Sequence, residues 1–261
     1  MRTPGPAFDL RTALAEELRA AQTQLNASPL DARAVHQCRV RVKRARALAR
    51  IGAASAPGLS EVFIDSARTL MRHLARARDP AALAEAAMQT ARKARKKEAS
   101  ALKRIAETID VAEPAAASFN LETTQASLRD LLALAQVWPE MSARQVRKGA
   151  RRLDRRARRA REAGAACDDQ TLRHRWRRRE KERCYAADIL DAAWPRKRSR
   201  RRAEKIAVCL GEERDAVLLM ARLSGATSNK GQKDTKRALK ALNRRRAKSA
   251  RRANALAARI S

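Results

Sequence analysis

Two short stretches of this chain carry side chains of the right type and spacing for one shared task, holding a line of negative charge. In the first, His36, Arg39, Lys43, Arg46 and Arg50 recur at intervals of three and four residues. On an α-helix of about 3.6 residues per turn that spacing aligns all five in one narrow stripe. In the second, His174, Arg177 and Lys181 repeat the first three positions of the pattern. Arginine offers a fork of N–H donors that fits phosphoryl or carboxylate oxygens, and lysine acts as a point charge. A neutral imidazole donates one N–H and gains a charge near pH 6.5.

The elements that position these groups follow from the neighbouring residues. Val35, Cys38, Val42, Ala45 and Ala49 fall one residue ahead of the cations at the same intervals. They form an apolar stripe beside the charged one, so a single helix seats one face in a core and holds a cationic row at its edge. Surface helices ordinarily interleave Glu with Lys at i,i+4. Here no acid stands between Ala32 and Ser60. Aligned, uncompensated cations repel one another, which points to a polyanionic partner; the bland alternative is a solvated basic face.

The second copy strengthens the first reading. Leu74-Ala75-Arg76-Ala77-Arg78-Asp79 corresponds to Leu210-Gly211-Glu212-Glu213-Arg214-Asp215, at nearly the same distance from its histidine. Repetition across more than half the chain reads as internal duplication, and duplicated helical units pack around a pseudo-twofold axis.

With both motifs in hand, the chain resembles the CHAD family, the conserved histidine α-helical domain, from about Phe8 to Ile260. Its signature is His-x-x-Arg-x-x-x-Lys/Arg in each half. The first copy matches closely, with Lys43-Arg44 and Arg46; the second keeps His174, Arg177, Lys181 and a following Tyr185. It departs at Glu182 and Cys184, where the family has basic residues. The resemblance implies two related antiparallel four-helix bundles within one domain, residues 8–260, with halves at about 8–112 and 118–260. It also implies inorganic polyphosphate held in a basic central groove, which brings Arg44 into the candidate site beside the eight residues above.

Bulk composition agrees with a polyanion partner. Lys and Arg total 60 against 28 acids, a formal charge of +32, with only 3 % aromatic residues. Charge of that size bears on partners and not on fold. Proteins that bind single-stranded nucleic acid stack bases on aromatic rings, so the scarcity of rings favours phosphates without bases. Cys38, Cys167, Cys184 and Cys209 form no C-x-x-C pair and read as small buried or half-buried residues in a reducing compartment. With no apolar run of membrane-spanning length and no apolar signal core, the expected location is cytoplasmic, with polyphosphate granules as a further site.

In chain order the pattern is helical throughout, and the expected fold class is all-α. A short N-terminal segment around Thr3–Pro6 is expected to be disordered. Helices are expected from Leu10, then from Asp31 to Gly52, then to Arg78, and then as one piece from Asp79-Pro80 through the basic stretch at Arg92–Lys97 to Thr108. Glu113-Pro114 marks the junction of the halves. Further helices run from Asn120 to Gln136 and from Ser142 to Glu162, with Gly164 as the stop. Another starts at Asp168 or Asp169 and carries His174, another reaches Leu210-Gly211, and the last spans Thr235 to Ile260 after a Gly/Ser/Asn-rich loop.

The expected function is non-catalytic binding of inorganic polyphosphate. No nucleotide-binding glycine loop, nucleophile elbow or E-x-E-x-K signature is present. His36 and Cys38 at i,i+2 face different ways, so no metal or cofactor is expected. His73 lacks a repeat partner and reads as structural, as do Asp79 and Asp215. The rivals are binding of nucleic acid backbones at low salt and an adaptor role on an acidic surface. Arg245, Arg246 and Arg251 near the C-terminus read as diffuse surface charge.

Overall fold

Side-chain caps begin the helices where short polar residues punctuate the sequence. Asp9 accepts from the backbone N–H of Arg11 at 2.9 Å, Asp31 from Ala34 at 2.7 Å and Asn120 from Thr123 at 2.9 Å. Ser142 and Gln145 form a reciprocal capping box, and Asp169 accepts from Thr171 at 2.6 Å and Leu172 at 3.0 Å. Each such cap satisfies an N–H that has no partner within the helix, worth about 1 kcal/mol.

The structure, a computed structural model, describes residues 8–27, 30–75, 79–109, 120–194, 200–225 and 232–259. Among them are ten α-helices and no strand. The first five are α1 (Leu10–Leu25), α2 (Ala32–Gly52), α3 (Pro57–His73), α4 (Asp79–Ala91) and α5 (Lys96–Ile109). The others are α6 (Leu121–Gln136), α7 (Ala143–Ala165), α8 (Gln170–Leu190), α9 (Arg200–Ser224) and α10 (Gln232–Ala257). The all-α expectation holds. Thr3–Pro6 and the Glu113-Pro114 junction lie outside the described residues, as does most of the loop before α10.

Four local expectations are corrected. The helix expected from Asp79 to Thr108 is two, turned at Arg92–Arg95 with no Gly or Pro to signal it. The buried faces of α4 (Ala84, Ala87, Ala91) and α5 (Leu102, Ala106) share one core with α9 and α10, which a single straight helix could not supply from both ends. Glu98 also accepts from the Arg95 N–H at 3.3 Å, which caps the new start. Conversely, α9 runs on through Leu210–Asp215 where the first half breaks. Pro80 lacks a donor and would clash in a helix interior, but Ala216 stands at the matching position of the second copy. Gly164 lies inside α7; a Cβ there would meet Trp176 at 3.1 Å, so its smallness serves close packing. Cys167 is exposed, whereas Cys38 and Cys209 are buried.

Burial is organised in three clusters. The largest joins α1, α2 and α3 to α6, the first half of α7 and the end of α8, around Trp138, Phe63, Leu14 and Leu48. The second joins α4 and α5 to α9 and α10; the third gathers Trp176 with Ile206, Leu210 and Ala253. The first two clusters each mix helices from both halves of the sequence. Two glycines allow the closest approach: a Cβ on Gly149 of α7 would lie 2.5 Å from the Ile51 carbonyl, and one on Gly52 2.5 Å from the Trp138 ring.

Candidate functional site

Helix α2 seats its predicted apolar stripe in the largest core: Val35, Cys38, Val42, Ala45 and Ala49 are fully buried. That fixes its rotation and turns the neighbouring cationic stripe toward α8, against which α2 packs. Helix α8 is fixed by polar contacts. Buried Arg173 donates to both oxygens of buried Glu213 on α9, one at 2.7 Å, and to the Gly164 carbonyl of α7 at 2.9 Å and Asn254 of α10 at 3.1 Å. Two turns on, buried Glu180 accepts from Trp176 at 3.2 Å and from Arg183 at 3.0 Å, and Arg183 also reaches Asp154 at 3.1 Å. Burial holds the Glu180 carboxyl above its usual pKa against the pull of Arg183.

Between these helices, α4 and α9 lies a cleft of about 490 Å³. Seven of the nine residues expected from the sequence line it. His36, Arg39, Lys43 and Arg46 come from α2, and His174, Arg177 and Lys181 from α8. Two do not. Arg44 turns to Glu17 of α1 at 2.7 Å and Asp188 of α8 at 2.6 Å. Those hydrogen bonds outweigh burial and raise its pKa, so Arg44 clamps three helices together. Arg50 lies against Glu182 at 3.2 Å, and Glu182 also accepts from Arg179 at 2.7 Å.

The sequence did not single out the other side of the cleft. Glu85 and Gln89 of α4 line it, joined by a hydrogen bond of 3.0 Å, and so do Arg178 of α8 and Asp215 of α9. The duplication had flagged Asp215 as one of a matched pair, a signal of placement that composition alone gave no reason to use. Tyr185 completes the wall, with the Lys181 ammonium 5.9 Å from its ring centre. Among the described residues the lining holds six Arg or Lys and three carboxylates.

Burial disfavours charge on several of the cleft side chains. Burial, reinforced by Arg50, pushes the Arg46 pKa down to about 10. Burial and Arg177 lower Lys181; burial, then Arg214, Arg177 and Arg178, lower His174. Burial lowers Arg50 as well, with partial relief from Glu182. Arg46 Nε, Arg177 Nε and His174 Nδ1 are buried without a hydrogen-bond partner among the described residues. An orphaned buried donor costs about 1–3 kcal/mol, and more when charged, so such groups usually have a ligand or water to meet.

Elsewhere the structure is less permissive of the sequence reading. Arg245 and Arg246 are held by Glu212 at 3.2 Å and Asp168 at 3.1 Å, so they are not diffuse charge. Among the described residues no group of three or more His, Cys, Asp or Glu is placed to hold a metal ion, and no helix is long and apolar enough to cross a membrane.

A duplicated histidine helix pair around a basic cleft in an all-helical chain defines a class, and comparison with known proteins supplies its name. The family model for the CHAD domain matches residues 12–224, so the chain belongs to the CHAD family. A crystal structure of the CHAD domain from the plant Ricinus communis is similar in fold, with a TM-score of 0.66 and 21 % identity. The alignment covers 100 % of this chain and 97 % of that one. Among curated proteins no match was found.

Proposed function

We propose that this chain binds inorganic polyphosphate in the cleft between α2 and α8, without catalysing its turnover. The observation that carries the proposal is the set of buried, unpartnered donors Arg46 Nε, Arg177 Nε and His174 Nδ1 beside an excess of lining cations. A phosphate chain offers closely spaced oxygens that accept such bonds and bears about one charge per phosphate. Arg46 and Arg177 fork onto neighbouring oxygens, Lys181 neutralises, and His174 donates or charges. Release of counterions from the chain adds a salt-dependent term of somewhat under one log unit per phosphate neutralised.

Among the described residues Tyr185 is the one Phe, Tyr or Trp side chain that lines the cleft, so a run of bases finds few large rings to stack on. This favours a bare phosphate chain over nucleic acid. The exposed arginines of α7 would still attract a duplex backbone at low salt. Attachment to polyphosphate granules in the cytoplasm follows from the same binding.

Competition between long-chain polyphosphate and duplex DNA, matched in phosphate at physiological salt, tests the ligand. Two charge-matched variants test the place. Replacing Arg46, Arg177 and Lys181 with Gln removes cleft charges from both motifs; replacing Arg147, Arg151 and Arg155 removes exposed charges from α7. The expected result is preference for polyphosphate and a far larger loss in the cleft variant. Equal or tighter DNA binding, or equal losses in the two variants, would overturn it.

A further inference from the structure

Helix α10 carries a second cationic concavity that the histidine motifs do not reach. It lies between α10, α9 and the turn joining α4 to α5, and encloses about 570 Å³. Most of its lining belongs to α10, beyond the residues 12–224 matched by the family model. Among the described residues six Lys or Arg face it against Glu212, with Glu98 behind it holding one of them, Arg244.

These cations divide into a fixed base and an open rim. Arg245 donates to the Gln89 carbonyl at 2.8 Å and to Glu212 at 3.2 Å, and its side chain is 13 % exposed. Arg244 donates to Glu98 at 2.9 Å. Lys93, Lys248, Arg251 and Arg252 are exposed around the rim, and no ion pair holds any of them among the described residues.

The floor has a different chemistry. It is formed by Ala94, Ala241 and Ala247 with the buried residues Thr90 and Ser249. Both hydroxyl hydrogens are already committed: Thr90 donates to the Ala86 carbonyl at 2.7 Å and Ser249 to Glu212 at 2.9 Å. Thr90, Ser249 and Glu212 can therefore only accept further hydrogen bonds. An ionised inorganic phosphate chain brings acceptors alone and no apolar surface, so it matches the rim and not the floor. A ligand that satisfies both has phosphoryl groups on an organic body with an apolar face and hydroxyl or amino donors.

We propose that this cleft binds a small organic phosphate of the nucleoside polyphosphate class, separately from the polyanion in the histidine cleft. The two clefts share the wall made by α4 and α9. The Gln89 side chain lines one, while its carbonyl fixes Arg245 in the other.

The test is calorimetric titration of the full chain with ATP, without divalent cations, and separately with tripolyphosphate, at physiological salt. One variant carries Lys248→Gln, Arg251→Gln and Arg252→Gln, all at exposed helix positions. A second, Ala247→Trp, keeps every charge and fills the floor. A third is the Arg46, Arg177 and Lys181 variant of the histidine cleft. One ATP is expected to bind per chain, weakened by at least about tenfold in each of the first two variants and changed by less than about twofold in the third. Binding of ATP that is lost only in the third variant, or alike in all three, overturns the proposal. So does tripolyphosphate binding as tight as ATP at the Ala247-sensitive site, or no ATP binding at all. Long-chain polyphosphate binding responds to the third variant on its own, so failure here leaves the main proposal to its own test.

Discussion

Replacing Arg46 with Gln should make the free protein more stable and the complex weaker. Burial and Arg50 lower the Arg46 pKa from the usual 12.5 to about 10. At about 1.4 kcal/mol per unit, holding that charge in the free protein costs on the order of 3 kcal/mol. Glutamine fills part of the same space and can donate, but it loses some packing of the aliphatic stem, about 1 kcal/mol. The net expectation is a gain of about 1–2 kcal/mol, which for a chain of this size raises Tm by about 2–8 °C.

Binding should move the other way. A charge-assisted hydrogen bond contributes about 1.5–3 kcal/mol, so polyphosphate affinity should fall by about 10–150-fold. Thermal melts with and without polyphosphate report the stability terms, and calorimetric titration at physiological salt reports the affinity. Excess polyphosphate should raise the wild-type Tm by more than it raises that of the variant. A lower Tm for the free variant, together with affinity within twofold of wild type, would show that Arg46 is a packing residue and that its orphaned Nε meets no ligand.

Polyphosphate affinity should rise as pH falls from 8 to 5.5, because bound phosphate favours the imidazolium of His174. The gain is absent above the pKa of the complex and complete below the lowered pKa of the free protein. Titration with long chains should show this slope reduced by His174→Asn, and an unchanged slope would refute it. For the free protein the sign is reversed: the folded pKa lies below the unfolded one, so stability falls as pH drops through about 6.5 and below. Arg173→Ala should destabilise by about 3–5 kcal/mol, because it leaves Glu213 buried and unpaired; urea unfolding with a loss under about 1 kcal/mol would contradict that. Glu182→Gln should tighten polyphosphate binding while lowering Tm, since Glu182 relieves Arg50 and Arg46 in the empty cleft. Weaker binding in that variant would show that Glu182 orients a ligand-contacting cation.

Much of the site was legible because one periodicity governs both burial and charge in α2. The apolar stripe at Val35, Cys38 and Val42 sets the rotation, and the cations one residue on follow necessarily. Arg44 and Arg50 escaped that logic. Arg44 lies one residue past Lys43 and so points away from the stripe, where Glu17 and Asp188 take it. Arg50 belongs to the stripe by spacing, but Glu182 of α8 draws it off. Such ion pairs join residues distant in sequence, which no local pattern encodes. The same holds for α4: Glu85 and Gln89 reach the cleft because the chain turns at Arg92–Arg95, and that turn is set by core packing with no glycine or proline to announce it. The continuity of α9, by contrast, was written in the sequence as Ala216 where the first copy has Pro80.

The distribution of acids explains why so basic a chain can fold and still keep an unneutralised site. Among the described residues the buried carboxylates are Glu17, Glu98, Glu180 and Glu213, and each holds an arginine that joins helices or braces α8. Glu17 holds Arg44 and Glu98 holds Arg244. Glu180 holds Arg183 and Glu213 holds Arg173. Glu213–Arg173 and Glu180–Arg183 are buried on both sides, so breaking either leaves a buried charge without compensation, whereas solvent screens the Arg44 and Arg244 ends of the other two. The acids are thus committed to the framework, where a misplaced arginine would unfold it. Among the described residues three acids and six cations line the histidine cleft, and Arg46 Nε and Arg177 Nε meet no hydrogen-bond partner there. Stability thus rests on Arg173 and Arg44, while burial disfavours the charges of Arg46 and Lys181, as the proposed binding of an anion requires. A cleft assembled only as a by-product of high net charge would not separate the two sets so cleanly.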